Sequence, residues 1–100
     1  MKEIAETPGL DALYIGPTDL AFSHGHPAVH NNFDGPVAEL IAEILAAAHA
    51  AGIRAGVHAT STDYAAKMIA DGLHLVTPTS DLRMIQSAAP DVLAGLRDSK

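Results

Sequence analysis

Three short apolar runs, none joined to the next by a hairpin turn, do most to limit what this chain can fold into. They occupy residues 11–16, 53–58 and 73–78, and a helical pattern separates each pair. The strongest pattern lies between the first two runs. There Val37, Leu40, Ile41, Ile44, Leu45 and Ala48 fall at i, i+3, i+4, i+7, i+8 and i+11, one continuous helical face. Pro36 suits the first helical turn, and Gly52 suits the position just past the end. Between the second and third runs the residues predict a helix from about 63 to 71. Ser61 or Thr62 would cap it, Gly72 would close it, and Ala65, Met68 and Ile69 would form its buried side. Two further helices are expected over 80–88 and 90–97, and residues 1–7 read as a helix tail stopped by Pro8-Gly9.

Strands alternating with helices predict parallel βαβ units with right-handed crossovers, so the expected class is α/β, in one domain over residues 1–100. An opening on a helix tail reads as a piece of something longer. Three parallel strands cannot close a barrel, which takes about eight strands and roughly 250 residues.

Composition removes several classes of function. Apolar residues make up 48% of the chain and charged ones 18%, a balance that builds a core and does not suit disorder. The net charge is -6 and the six Lys and Arg are scattered singly, which leaves no basic stripe for a nucleic-acid partner. No apolar run approaches membrane-spanning length, and Met1-Lys2-Glu3 begins no signal peptide. The absence of cysteine excludes disulfide and thiolate chemistry and fits a cytoplasmic location.

In parallel α/β folds the reactive groups gather where strands end. Here those ends read Gly16-Pro17-Thr18-Asp19, His58-Ala59-Thr60-Ser61 and Thr77-Pro78-Thr79-Ser80-Asp81, all polar. Gly16 lets backbone approach a ligand, Pro17 fixes the turn, and Asp19 offers a carboxylate of the kind a hard divalent cation takes. On spacing alone Asp19 reads rather as a cap for the short turn containing Leu20-Ala21-Phe22.

Residues 8–20, Pro-Gly-Leu-Asp-Ala-Leu-Tyr-Ile-Gly-Pro-Thr-Asp-Leu, resemble the signature segment of the HpcH/HpaI family of 2-oxo-acid aldolases. Ala50-Ala51-Gly52 leading to Ala55-Gly56-Val57-His58-Ala59, and Asp71–Thr77 leading to Ser80-Asp81-Leu82, agree in order and spacing. The resemblance implies the C-terminal portion of a TIM-type (β/α)8 barrel, with three parallel strands and flanking helices. It implies a metal-dependent aldolase, a carbon–carbon lyase that works through the enolate of pyruvate. Asp19 would be one carboxylate ligand of Mg²⁺, Mn²⁺ or Co²⁺. Gly16, Pro17 and Thr18 would lie against the pyruvate carboxylate, and His58 would line the pocket. The partners implied are pyruvate, an aldehyde and further copies of the chain in a homo-oligomer, with residues 80–97 as the contact. The family's second carboxylate ligand, its catalytic His and its substrate-binding Arg would precede Met1, since Glu3 and Glu6 match none of them.

Other readings stay open on the residues alone. His58 is equally a partly buried strand-end histidine. His24, His26 and His30 sit in a long loop and read as solvated rather than zinc-binding. His49 suits the negative end of its helix, and Ser80-Asp81 suits a helix start. A half-barrel that assembles without chemistry, or a small-molecule binding module, would use the same pattern.

Overall fold

Residues 1–29 and 31–98 are described by the computed structural model, and the three apolar runs form one sheet. Strands β1 (Ala12–Ile15), β2 (Arg54–His58) and β3 (Leu75–Thr77) are parallel and adjacent in that order. In the ladder Tyr14 faces Gly56, Gly56 faces Leu75, and His58 faces Thr77. Because side chains alternate along a strand, Leu13, Ile15, Ala55, Val57 and Val76 point to one side. These five belong to the core or pack directly against it. Tyr14, Arg54, His58, Leu75 and Thr77 share the opposite side with Gly56, and the first four are exposed.

Helices cover only the first side. Helix α1 (Lys2–Ala5) is short, and α2 (Pro17–Ser23) is a helix of two turns where the residues suggested a brief turn. The dominant helix, α3 (Gly35–Ala51), buries Val37, Ile41, Ile44, Leu45 and Ala48 and half-buries Leu40, the expected face. It ends where anticipated. Gly52 adopts φ 72°, and the Ile53 N–H closes on the Ala48 carbonyl at 3.0 Å.

Helix α4 (Thr62–Ala70) is capped by Ser61, whose Oγ accepts the Tyr64 N–H at 3.2 Å. Its buried side corrects the expectation. Tyr64, Ala65 and Met68 face inward, while Ile69 is 63% exposed. The two arcs differ by a small rotation that periodicity cannot resolve, and the larger Tyr64 ring takes the core. It packs edge-on against Phe33 with centroids 5.2 Å apart.

The two helices expected over 80–88 and 90–97 are one, α5 (Asp81–Asp98), running through Pro90. Proline there removes the N–H that would reach the carbonyl of residue 86. The whole helix is exposed, so that carbonyl is open to solvent. No residue of α5 is buried, and it projects from the body. The molecule measures 62 × 27 × 20 Å, with a radius of gyration of 17.0 Å. A compact chain of this length would have about 13 Å. Among the described residues no helix is long and apolar enough to cross a membrane.

Candidate active site at the strand ends

The segment after β1 brings its groups together by ordinary helix-start chemistry. Gly16 is extended (φ -100°, ψ 100°) and stands as the N-cap of α2, and Pro17 takes the first-turn position where a missing N–H costs nothing. Asp19 falls in that first turn. Its Oδ2 lies 3.2 Å from the point where a Cβ on residue 16 would sit, so a side chain at Gly16 would crowd the carboxylate.

A pocket of about 340 Å³ opens between this segment and the end of β2. Tyr14, Gly16, Pro17, Thr18, Asp19, His58 and Thr60 line it. All five residues singled out from the sequence therefore meet in one place. Tyr14 and Thr60 were missed. Tyr14 could have been found by the strand alternation that puts it on the face of His58, but its ring also has the look of a core residue.

Asp19 does not serve as a cap. The N-cap of α2 is Gly16, which has no side chain, and the Asp19 carboxylate has no hydrogen bond or ion pair among the described residues. An uncommitted carboxylate beside a polar pocket is compatible with a hard divalent cation, which takes one or two carboxylates with substrate oxygens and water. The described residues contain no cluster of three or more His, Asp or Glu that could hold such an ion without help.

His58 is exposed, which departs from the partly buried strand-end reading. Its Nδ1 lies 3.3 Å from Thr77 Oγ1, and that oxygen lies 3.1 Å from the Tyr14 hydroxyl. Thr60 is held differently, donating to Asn31 Oδ1 at 3.2 Å.

The remaining candidates have structural partners. Ser80 starts α5, its Oγ accepting the Arg83 N–H at 3.3 Å, and Asp81 Oδ1 accepts the Leu82 N–H at 2.8 Å. His24 Nδ1 lies 3.1 Å from the Leu20 carbonyl at the end of α2. His26 borders the following loop, and His30 lies outside the described residues. His49, in the last turn of α3, meets His74 edge-on with ring centroids 5.9 Å apart.

The family model for HpcH/HpaI aldolase/citrate lyase matches residues 1–88. The chain belongs to the HpcH/HpaI aldolase/citrate lyase family. It is 39% identical over 97 residues to a hydroxypyruvate/pyruvate aldolase of Rhizorhabdus wittichii, covering 97% of this chain and 39% of that protein. It is 32% identical over 101 residues to a 2-keto-3-deoxy-L-rhamnonate aldolase of Escherichia coli, covering all of this chain and 37% of that protein. Among solved structures, an HpcH/HpaI family protein from Burkholderia cenocepacia J2315 superposes with a TM-score of 0.85. Its identity is 35%, and the match covers 96% of this chain and 37% of that one. The chain thus spans less than two-fifths of the length of these relatives. The match to the citrate synthase SbnG, at 24% identity and a TM-score of 0.80, speaks for the fold alone.

Proposed function

We propose that residues 1–100 are one partial domain, the C-terminal portion of a (β/α)8 barrel in a divalent-metal aldolase that acts on 2-oxo acids and aldehydes. The observation that carries this reading is the convergence of Gly16, Pro17, Thr18, Asp19 and His58 on one pocket at the strand ends, in a chain of this family. Asp19 would be the carboxylate that this chain gives to Mg²⁺, Mn²⁺ or Co²⁺. The bound ion supplies the positive charge that losing a proton next to a ketone demands. The first turn of α2 leaves backbone N–H groups without helical partners, which suits the carboxylate of pyruvate against Gly16-Pro17-Thr18. His58 would form the wall beyond it.

Hydrogen exchange tests this. In the full gene product with Mn²⁺, pyruvate methyl protons should exchange into heavy water. Asp19→Asn should slow exchange by roughly a hundredfold or more, as loss of a comparable electrostatic group does. Residues 1–100 alone should show none, because they offer one carboxylate and no positioned base. Undiminished exchange in the Asn variant would sink the reading. The bare apolar stripe of α5 supports a second role beside the first, assembly with further copies of the chain.

A further inference from the structure

We propose that Tyr14 and Thr77 hold His58 as a hydrogen-bond donor into the pocket, and that His58 thereby favours 2-oxo acids carrying a hydroxymethyl group over those carrying a methyl. The substrate half of this inference rests on the aldolase reading above.

The geometry comes from three strands at once. Tyr14 on β1, His58 on β2 and Thr77 on β3 share the uncovered side of the sheet. The Tyr14 hydroxyl reaches Thr77 Oγ1 at 3.1 Å across the middle strand, and Thr77 Oγ1 reaches His58 Nδ1 at 3.3 Å. The span is possible because residue 56 is glycine. A Cβ there would stand 3.1 Å from Tyr14 Cδ2 and 2.9 Å from the Leu75 carbonyl oxygen.

Neither bond carries a direction of its own, and the proposed one follows from proton supply. The threonine hydroxyl has one proton and donates once. A phenol is the more acidic of the two hydroxyls and the better donor, so the proposed relay runs from Tyr14 to Thr77 and from Thr77 to His58 Nδ1. A neutral imidazole whose Nδ1 accepts carries its proton on Nε2. His58 also lines the pocket shared with Thr18, Asp19 and Thr60, so that N–H serves an acceptor bound there. A substrate hydroxyl can accept it. A methyl group cannot, and a substrate of that kind forgoes the hydrogen bond. Tyr14 and Thr77 are positioning residues; His58 is the group that reads the substrate.

Two measurements on the full gene product test the two halves. Nitrogen-15 NMR of labelled histidine, with the His58 signals identified through His58→Gln, should show the proton on Nε2. In Thr77→Val both tautomers should appear, and Thr77→Ser should restore the first. Wild-type His58 protonated on Nδ1 overturns the relay. The second measurement is the ratio of kcat/KM for hydroxypyruvate against pyruvate. It should fall about tenfold in Thr77→Val, the size of one ordinary hydrogen bond, and recover in Thr77→Ser. A ratio that stays fixed in both Thr77→Val and Tyr14→Phe overturns the selectivity. Failure of the aldolase reading looks different, since it appears as proton exchange that Asp19→Asn does not diminish, whatever tautomer His58 holds.

Discussion

Tyr14 stands opposite Gly56 in the β1–β2 ladder, and its ring takes the space a side chain at 56 would fill, with Cδ2 only 3.1 Å from the missing Cβ. Glycine inside a strand costs order and packing, by roughly 0.5–1 kcal/mol. Here it clears the path by which Tyr14 crosses β2 to Thr77. The site's longest-range hydrogen bond, between residues 63 apart in sequence, depends on that vacancy.

Gly56→Ala should therefore strain the sheet, because the nearest atom to the new methyl is a backbone oxygen at 2.9 Å that cannot swing aside. The expected loss is about 1–3 kcal/mol, the usual penalty of overpacking. Urea unfolding would measure it. An unchanged midpoint would show that the strands have room the ladder does not suggest.

Ile44→Asp tests the packing of α3. Ile44 is 8% exposed and shares the core with Val57 and Ile15. An unpaired carboxylate there should cost several kcal/mol against a total stability of similar size, so the chain should unfold. Retention of native helical circular dichroism and melting temperature would put the helix on a different face.

Much of this fold was legible because its signals are local. The α3 stripe, the Gly52 stop, the Ser61 cap and the three strands each follow from residues within a few positions of one another. Beside the continuity of α5 through Pro90 and the length of α2, two features were not. The choice between the 64-65-68 and 65-68-69 arcs of α4 depends on what the core has room for, which no window of ten residues contains. The Tyr14–Thr77–His58 chain joins three strands, so it exists only once register is fixed. Gly56 was the available hint, since a glycine within a strand often marks close approach by another group. At the site, Gly16-Pro17-Thr18-Asp19 was readable from its motif, whereas Thr60 had no local mark.

Helix α5 should draw copies of the chain together. Leu82, Ile85, Val92, Leu93 and Leu96 recur along it at helical spacing, and each is at least half exposed. Together with the open edges of β1 and β3, that stripe is the kind of contiguous apolar surface that marks an association site. Light scattering at high concentration should report a species well above the 10.4 kDa of one chain. Ile85→Glu with Val92→Glu should lower that mass. A single 10.4 kDa species in the wild type would leave the stripe without a partner of this kind.

Tyr64 links packing to pH. Its side chain is fully buried, and its hydroxyl has no hydrogen-bond partner. Burial pushes the phenol above its ordinary value of 10.0; the Asn32 backbone beside it pulls the other way, and the Asp71 carboxylate adds a smaller upward push. The unfolded chain therefore gives up the phenol proton at a pH where the folded chain still keeps it. The stability that comes from keeping Tyr64 neutral is fully present below pH 10.0. It is lost as pH rises through the folded-state value. Between those two values the loss approaches about 1.4 kcal/mol per pH unit. Tyr64→Phe keeps the ring against Phe33, discards an unsatisfied hydroxyl, and has no phenol to ionise. It should match or exceed the wild type by up to about 1 kcal/mol at pH 7, with a gap that widens above pH 10. The other titrating groups are common to both proteins, so urea unfolding of the pair from pH 7 to pH 11 isolates this one. Parallel curves across that range would mean that water reaches the hydroxyl, and that Tyr64 is not sealed in the core.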